Sequence, residues 1–215
     1  MQKTRTKPTA RTQAERSAST QERILRAAIS CLHHRGYSAT STVAVAEMAG
    51  VSRGAMLHQY PTKTALMAAV LDAVYEQQSA YYRRSLSKID DPVERLVSLP
   101  RVAWTGFRSP AGVAQMEIFL AARSDAELKD VVREGNRRVD TESRRGIVYL
   151  ASDAGVTDMK LVDAMWALGV STLRGLQTQW INDLHKAPAK EAIGLLETLW
   201  RNLVAAHADS TSVPH

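Results

Sequence analysis

The spacing of apolar positions predicts an all-α fold. Near the start, four apolar residues recur at i, i+4, i+7 and i+8, the spacing of one helical face: Ile24, Ala28, Cys31 and Leu32. Ser19-Thr20-Gln21-Glu22 has the pattern of a capping box before this helix, and Gly36 is suited to end it in the left-handed conformation. No clear alternation of apolar and polar residues bounded by turn dipeptides indicates a strand.

The residues that follow predict two short helices joined by a tight turn. An apolar segment from Val43 to Ala49 is interrupted at Gly50-Val51-Ser52, and a second run extends from Arg53 to Tyr60. Pro61 ends that run because the residue before proline disfavours helix. A longer helix is expected to begin near Lys63. Two short helices joined by a turn that contains glycine form a helix-turn-helix.

Capping patterns divide the rest of the chain into long helices. Such patterns stand at the predicted starts of three helices: Asp91-Pro92-Val93-Glu94, Ser109-Pro110 and Ser124-Asp125-Ala126-Glu127. The third helix is expected to run to about Asp153 and to stop near Gly155, and two more helices are expected near 157–185 and 189–207. We therefore expect four segments: a disordered basic arm at 1–18, a helix-turn-helix head at 19–65, a helical body at 66–208 and a flexible tail at 209–215.

The positive charge of the chain is concentrated near its start. Residues 1–63 hold ten Lys and Arg against three Asp and Glu, whereas the remaining residues hold 18 basic and 19 acidic groups. This asymmetry indicates a front end that binds a polyanion, although a basic disordered tail would produce the same count.

The second short helix carries side chains suited to base edges in a DNA groove. Arg53 can contact guanine in bidentate fashion and Gln59 can pair with adenine, while Gly54 and Ala55 are small enough for close approach to base edges and thymine methyls. An ordinary helical hairpin with a solvated polar face is the alternative.

The order of residues through this region resembles the DNA-binding domain of TetR-family transcriptional regulators. The resemblance rests on Thr42-x-x-Val45-Ala46-x-x-Ala49-Gly50-Val51-Ser52-Arg53-Gly54-x-Met56, followed by His58-x-Tyr60-Pro61-Thr62-Lys63-x-x-Leu66. It covers roughly residues 20–70. It implies a three-helix DNA-binding head, a larger helical-bundle body that dimerises and binds an inducer, and a homodimeric repressor of double-stranded operator DNA.

The resemblance also implies a set of DNA contacts. Thr42 and Lys63 would contact backbone phosphates, and Tyr60 would pack at the end of the recognition helix. The full expected set is Thr42, Ser52, Arg53, Gly54, Ala55, His58, Gln59, Tyr60 and Lys63. One departure is Leu57, which stands where the family commonly has a phosphate-binding tyrosine.

The last two predicted helices carry apolar stripes that would form a four-helix interface with a symmetry mate. The candidate interface residues are Leu168, Thr172, Leu176, Leu196, Leu199 and Leu203, and Leu195 is an alternative to Leu196 in the stripe of the last helix. The alternative is that these stripes face the core of their own chain.

Aromatic residues and a few polar anchors in the body suit a cavity for an apolar or amphipathic small molecule. The candidate lining residues are Trp104, Phe107, Met116, Phe119, Tyr149 and Gln177. Ordinary core packing is the alternative for each of them.

Several other classes of protein are disfavoured. The chain has no apolar run of the roughly 18 residues that a membrane span needs, and its lone Cys31 allows neither an internal disulfide nor a cysteine-rich zinc site. His33 and His34 are adjacent, so they point about 100° apart on a helix and share no metal-binding face. No HExxH, phosphate-loop or GxSxG motif is present. We expect a cytoplasmic protein without catalytic activity, metal or cofactor. A DNA-binding dimer that answers to a protein partner, or that activates transcription, remains the second candidate.

Overall fold

The computed structural model describes residues 13–182 and 189–211, and within those ranges the chain forms ten helices and no strand. In chain order they are α1 (Gln13–Ala39), α2 (Thr42–Ala49), α3 (Arg53–Gln59), α4 (Lys63–Leu86), α5 (Pro92–Val97), α6 (Leu99–Phe107), α7 (Pro110–Ala121), α8 (Ala126–Asp153), α9 (Met159–Ile181) and α10 (Ala189–Thr211). The predicted all-α class is confirmed. Residues 1–12 of the predicted arm and 212–215 of the predicted tail lie outside the described residues.

The first helix begins six residues before the expected capping box. Residues 13–18, which we expected to be part of a disordered arm, belong to α1. The hydroxyl of Thr20 donates to the backbone oxygen of Arg16 at 2.8 Å, so this residue lies inside the helix instead of capping it. The helix bends at Gly36, whose φ of 75° favours glycine.

The helix-turn-helix forms as its capping residues predict. The side-chain oxygens of Ser41, Ser52 and Thr62 accept hydrogen bonds from backbone amides at the starts of α2, α3 and α4. Gly50 ends α2 in the left-handed conformation, with φ 61° and ψ 40°. These caps fix the bounds of both short helices.

The head and part of the body share one apolar core. Ile24 and Leu32 of α1 pack in the same cluster as Met56 of α3, Ile118 of α7 and Leu128 of α8. A second cluster lies wholly in the body, where Trp200 is surrounded by residues of other helices: Leu96, Ile147, Val162 and Met165. Helix α1 of the head is therefore packed against α7, so the head is not connected to the body through α4 alone.

Two glycines provide a test of the packing of α6 against α7. A Cβ atom added to Gly112 would overlap the backbone oxygens of Gly106 and Phe107, which a side-chain movement cannot relieve. We expect Gly112→Ala to lower the free energy of unfolding by about 1–3 kcal/mol. Gly146→Ala, in an open position on α8, should raise it by about 0.5–1 kcal/mol because alanine favours helix. Urea denaturation at fixed protein concentration measures both, and equal stability of Gly112→Ala and wild type would contradict the described packing of α6 against α7.

Candidate DNA-binding interface

The exposed face of α3 combines polar, apolar and small residues. Arg53, Gly54 and His58 are exposed, and Leu57 is 41% exposed between them. Residues four apart lie on the same side of a helix, so Arg53 and Leu57 form one row and Gly54 and His58 a second row beside it. Ala55 is half-buried at the edge of this face. The expected groove-facing residues of the first turn are therefore brought together.

The opposite face of α3 is anchored in the core. Met56 is 1% exposed and Tyr60 is 5% exposed, both within the cluster formed by α1, α2 and α4. Tyr60 packs at the end of α3 as expected, and because the head encloses its ring, its inclusion in the set of DNA contacts is corrected. Burial raises the pKa of the Tyr60 phenol above its usual value, as expected for a group removed from water.

Gln59 is engaged within the head. Its amide nitrogen donates to the hydroxyl of Ser17 on α1 at 3.0 Å, and the side chain is half-buried. A contact with adenine requires that hydrogen bond to break. No local pattern indicates this pairing, because the two residues are 42 positions apart and Ser17 falls in the segment expected to be a disordered arm.

Arg23 holds the turn of the helix-turn-helix. One guanidinium nitrogen donates to the backbone oxygens of Ala49 and Gly50 at 2.6 and 2.7 Å. Carbonyls at a helix C-terminus lack partners within the helix, and a charged donor satisfies them. Arg23 therefore ties α1 to the turn that sets the direction of α3. Sequence reasoning missed this residue because the contact depends on tertiary structure.

Lys63 is folded onto the end of α1. Its ammonium group donates to the backbone oxygen of Tyr37 at 2.7 Å and lies 3.7 Å from the centre of the Tyr37 ring. Burial lowers the pKa of Lys63, and the Asp125 carboxylate partly opposes that shift. An ammonium group has three donors, so a phosphate contact remains chemically possible beside the bond to Tyr37. Thr42, the other expected phosphate contact, is half-buried at the first position of α2.

Tyr37 joins the head to the body. Its backbone amide donates to the Glu117 carboxylate of α7 at 2.9 Å, and its hydroxyl lies 3.5 Å from an Asp125 oxygen just before α8. Burial and then the Asp125 carboxylate raise the pKa of the Tyr37 phenol. A cleft of about 350 Å³ borders these groups. One residue thus contacts Lys63 of the head and two acidic groups of the body.

The candidate ligand residues fall into separate places. Trp104 and Phe107 pack beside one apolar cluster, and the Gln177 amide donates to the Phe107 backbone oxygen at 2.5 Å. Phe119 lies elsewhere, with the Arg174 guanidinium 5.7 Å from its ring centre. Met116 is half-buried on α7.

Tyr149 does not belong with the other candidate ligand residues. Its side chain is 67% exposed on α8, whereas the adjacent Leu150 is buried. The helical step of about 100° per residue places one of these neighbours inside and the other outside. The expectation that Tyr149 lines a cavity is therefore wrong.

The candidate dimer residues are only partly exposed. Leu168 and Leu199 have large exposed fractions, and Thr172, Leu176 and Leu203 are half-buried. Leu196 is 5% exposed and belongs to the second core cluster, so its expected place on a dimer surface is wrong. Its neighbour Leu195 is 72% exposed instead and lies one turn from Leu199 on α10.

No helix in the described part of the chain combines the length and apolar content needed to cross a membrane. Among those same residues, no group of three His, Cys, Asp or Glu side chains is arranged to hold a metal ion.

Comparisons with known proteins agree with this geometry. The family model described as "Bacterial regulatory proteins, tetR family" matches residues 24–70, which include α2, α3 and the start of α4. The HTH-type transcriptional regulator CymR of Pseudomonas putida is 30% identical over 187 residues, covering 83% of this chain and 89% of CymR.

Solved structures show the same fold. A TetR family transcription regulator from Marinobacter aquaeolei VT8 matches with a TM-score of 0.63 at 17% identity, covering 88% of this chain and 97% of that one. The multidrug binding protein EbrR, complexed with imidazole, matches with a TM-score of 0.57 at 24% identity, covering 83% and 93% of the two chains. The chain belongs to the TetR family of bacterial regulatory proteins, and it is a DNA-binding transcriptional regulator with a helix-turn-helix head, not an enzyme.

Proposed function

We propose that this chain is a homodimeric cytoplasmic repressor that leaves a near-palindromic operator when a small molecule binds its body. The observation that carries the dimer is the apolar outer face of the last two helices, which includes Leu168, Leu195 and Leu199. The seven-residue α3 is long enough to contact only a few base pairs. Two copies related by a two-fold axis would contact two half-sites of opposite orientation, which together form a near-palindrome.

The ligand of this proposal is apolar or amphipathic. Trp104, Phe107 and Leu176 supply apolar surface beside one buried cluster, and the buried Gln177 amide donates to the Phe107 backbone oxygen. The imidazole complex of EbrR, which shares the fold, supports a body that accepts small molecules. A ligand can shift DNA affinity only if it binds one arrangement of the two heads better than the other.

The contacts of Tyr37 supply a route for that coupling. A displacement of α7 would move Glu117, and with it the Tyr37 backbone that also holds Lys63. The second candidate function is a DNA-binding dimer that answers to a protein partner or activates transcription. It is favoured if sequence-specific binding persists with every small molecule tested. Selection of bound fragments from genomic DNA would supply the operator and point to the neighbouring genes.

Arg53 and Lys63 should affect DNA binding in different ways. We expect Arg53→Ala to relax preference at one base pair by about 1–3 kcal/mol, because a base-edge contact is lost. Lys63→Ala should weaken binding to all sequences and reduce the slope of log affinity against log salt by about 1. Mobility shifts at several salt concentrations measure both effects. Lys129→Ala, which removes an exposed lysine from α8, is the matched control. An unchanged salt slope for Lys63→Ala would remove this residue from the interface.

The dimer surface can be tested with a single charge. Leu199→Glu would place two carboxylates near each other across the two-fold axis, and we expect the dissociation constant of the dimer to rise at least about a hundredfold. Met159→Glu is the control, because Met159 is exposed on α9 half a turn away from Leu168 in helical projection. Sedimentation velocity at micromolar concentration distinguishes monomer from dimer. A dimer that persists unchanged in Leu199→Glu would place the interface elsewhere.

The apolar cluster beside Trp104 and Phe107 predicts which side chain a bound compound would contact. A set of aromatic and aliphatic compounds is first screened by thermal shift and by release of the selected operator. For any compound that does both, we expect Trp104→Ala to lose the shift and Tyr149→Ala to retain it, because Trp104 packs beside the apolar cluster of the body whereas Tyr149 is 67% exposed. The reverse pattern would overturn the assignment of Trp104 to the ligand site.

A further inference from the structure

We propose that Leu57 determines operator sequence by contact with the 5-methyl group of a thymine in the major groove. The inference rests on the operator binding proposed above and adds a specificity-determining residue to it. Leu57 is an exposed apolar side chain on the recognition helix, among residues expected to contact DNA, which is highly charged.

The position of Leu57 is fixed by its neighbours. Met56 and Tyr60 fill the inner side of α3, and each is almost fully buried. Because successive residues of a helix point about 100° apart, the burial of Met56 leaves Leu57 outside. The isobutyl group therefore cannot turn into the core of its own chain without displacing one of these anchors.

The surroundings of Leu57 are open. Gly54 lies one turn earlier on the exposed face, and an added Cβ atom there would meet only the Ser52 hydroxyl oxygen, at 4.0 Å. Arg53 and His58 flank the leucine with longer polar side chains. The absence of a side chain at position 54 lets a base edge come close enough for a leucine to reach it.

The chemistry of DNA limits what Leu57 can contact favourably. Phosphate and sugar oxygens gain nothing from an isobutyl group, and most major-groove edges present hydrogen-bond donors or acceptors. The thymine methyl is the one apolar group on those edges. An exposed leucine that DNA covers is therefore stabilised only where a thymine methyl meets it.

The other exposed apolar residues of the head do not share this position. The sulfur of Met48 lies 3.6 Å from the Cys31 sulfur, so this side chain covers α1. Val43 is exposed near the start of α2, beside the expected phosphate contact of Thr42. Leu57 alone among these three lies on the recognition helix.

The test removes single methyl groups from the DNA. Each thymine of the selected operator is replaced in turn by uracil, which keeps every hydrogen bond and deletes only the 5-methyl. We expect one replacement per half-site to weaken binding by the full-length wild type about three- to tenfold, the scale of one buried methyl contact. We expect Leu57→Ala to bind the thymine and uracil forms of that site equally.

Control variants assign the effect to one residue. Met48→Ala, which removes a similarly exposed side chain from α2, should keep the full preference for thymine. Val43→Ala, at an exposed apolar position of α2, should also keep it, because only removal of the contacting side chain abolishes the difference between thymine and uracil. Leu57→Met, a rescue with an apolar side chain of similar size, should restore at least part of the preference.

Three outcomes overturn the inference. The wild type could bind every uracil-substituted operator as tightly as the original, the preference could survive in Leu57→Ala, or it could disappear in Met48→Ala. Binding of the wild type to the uracil-substituted operators tests the first of these outcomes without any variant. Failure of the wild type to prefer any duplex would contradict the operator-binding function itself, which is a different result from an equal response to thymine and uracil.

Discussion

The burial of Met56 and Tyr60 is the constraint on which the DNA-binding surface depends. These two side chains fix the rotation of α3 about its axis, and the row of Arg53 and Leu57 faces outward as a consequence. Arg23 adds a second constraint by binding the last carbonyls of α2 and the turn. A rotation of α3 by one residue would bury a charged guanidinium and expose Met56, so packing and electrostatics both favour one presented face.

A single residue, Tyr37, connects that surface with the body. Its backbone oxygen holds Lys63, while its backbone amide and hydroxyl face Glu117 and Asp125. The apolar core continues along the same path, since Ile118 and Leu128 pack with the buried residues of the head. The body therefore contacts the head through packed side chains and hydrogen bonds at α1 as well as through α4. The proposed response to a ligand would act through these contacts.

Local chemistry explains which features could be predicted from the sequence. Caps such as Ser52 and Asp125 act within three residues, so the starts of α3 and α8 were predictable from the local sequence. The bonds from Arg23 to the turn and from Lys63 to Tyr37 span about 26 residues, and no local pattern encodes them. Adjacent apolar residues were the other source of error. Leu195 and Leu196 both fit a stripe, and Leu196 is the one that packs with Trp200 in the core, which leaves Leu195 exposed.

The central claim is that α3 presents a sequence-reading face in each of two copies on one duplex. Competition binding of the full-length protein to the selected operator and to a scrambled duplex of the same composition tests it most directly, with the stoichiometry read from the same titration. The account predicts two chains per operator and a preference of at least about a thousandfold near physiological salt. Equal affinity for both duplexes, or one chain per operator at saturation, would contradict it.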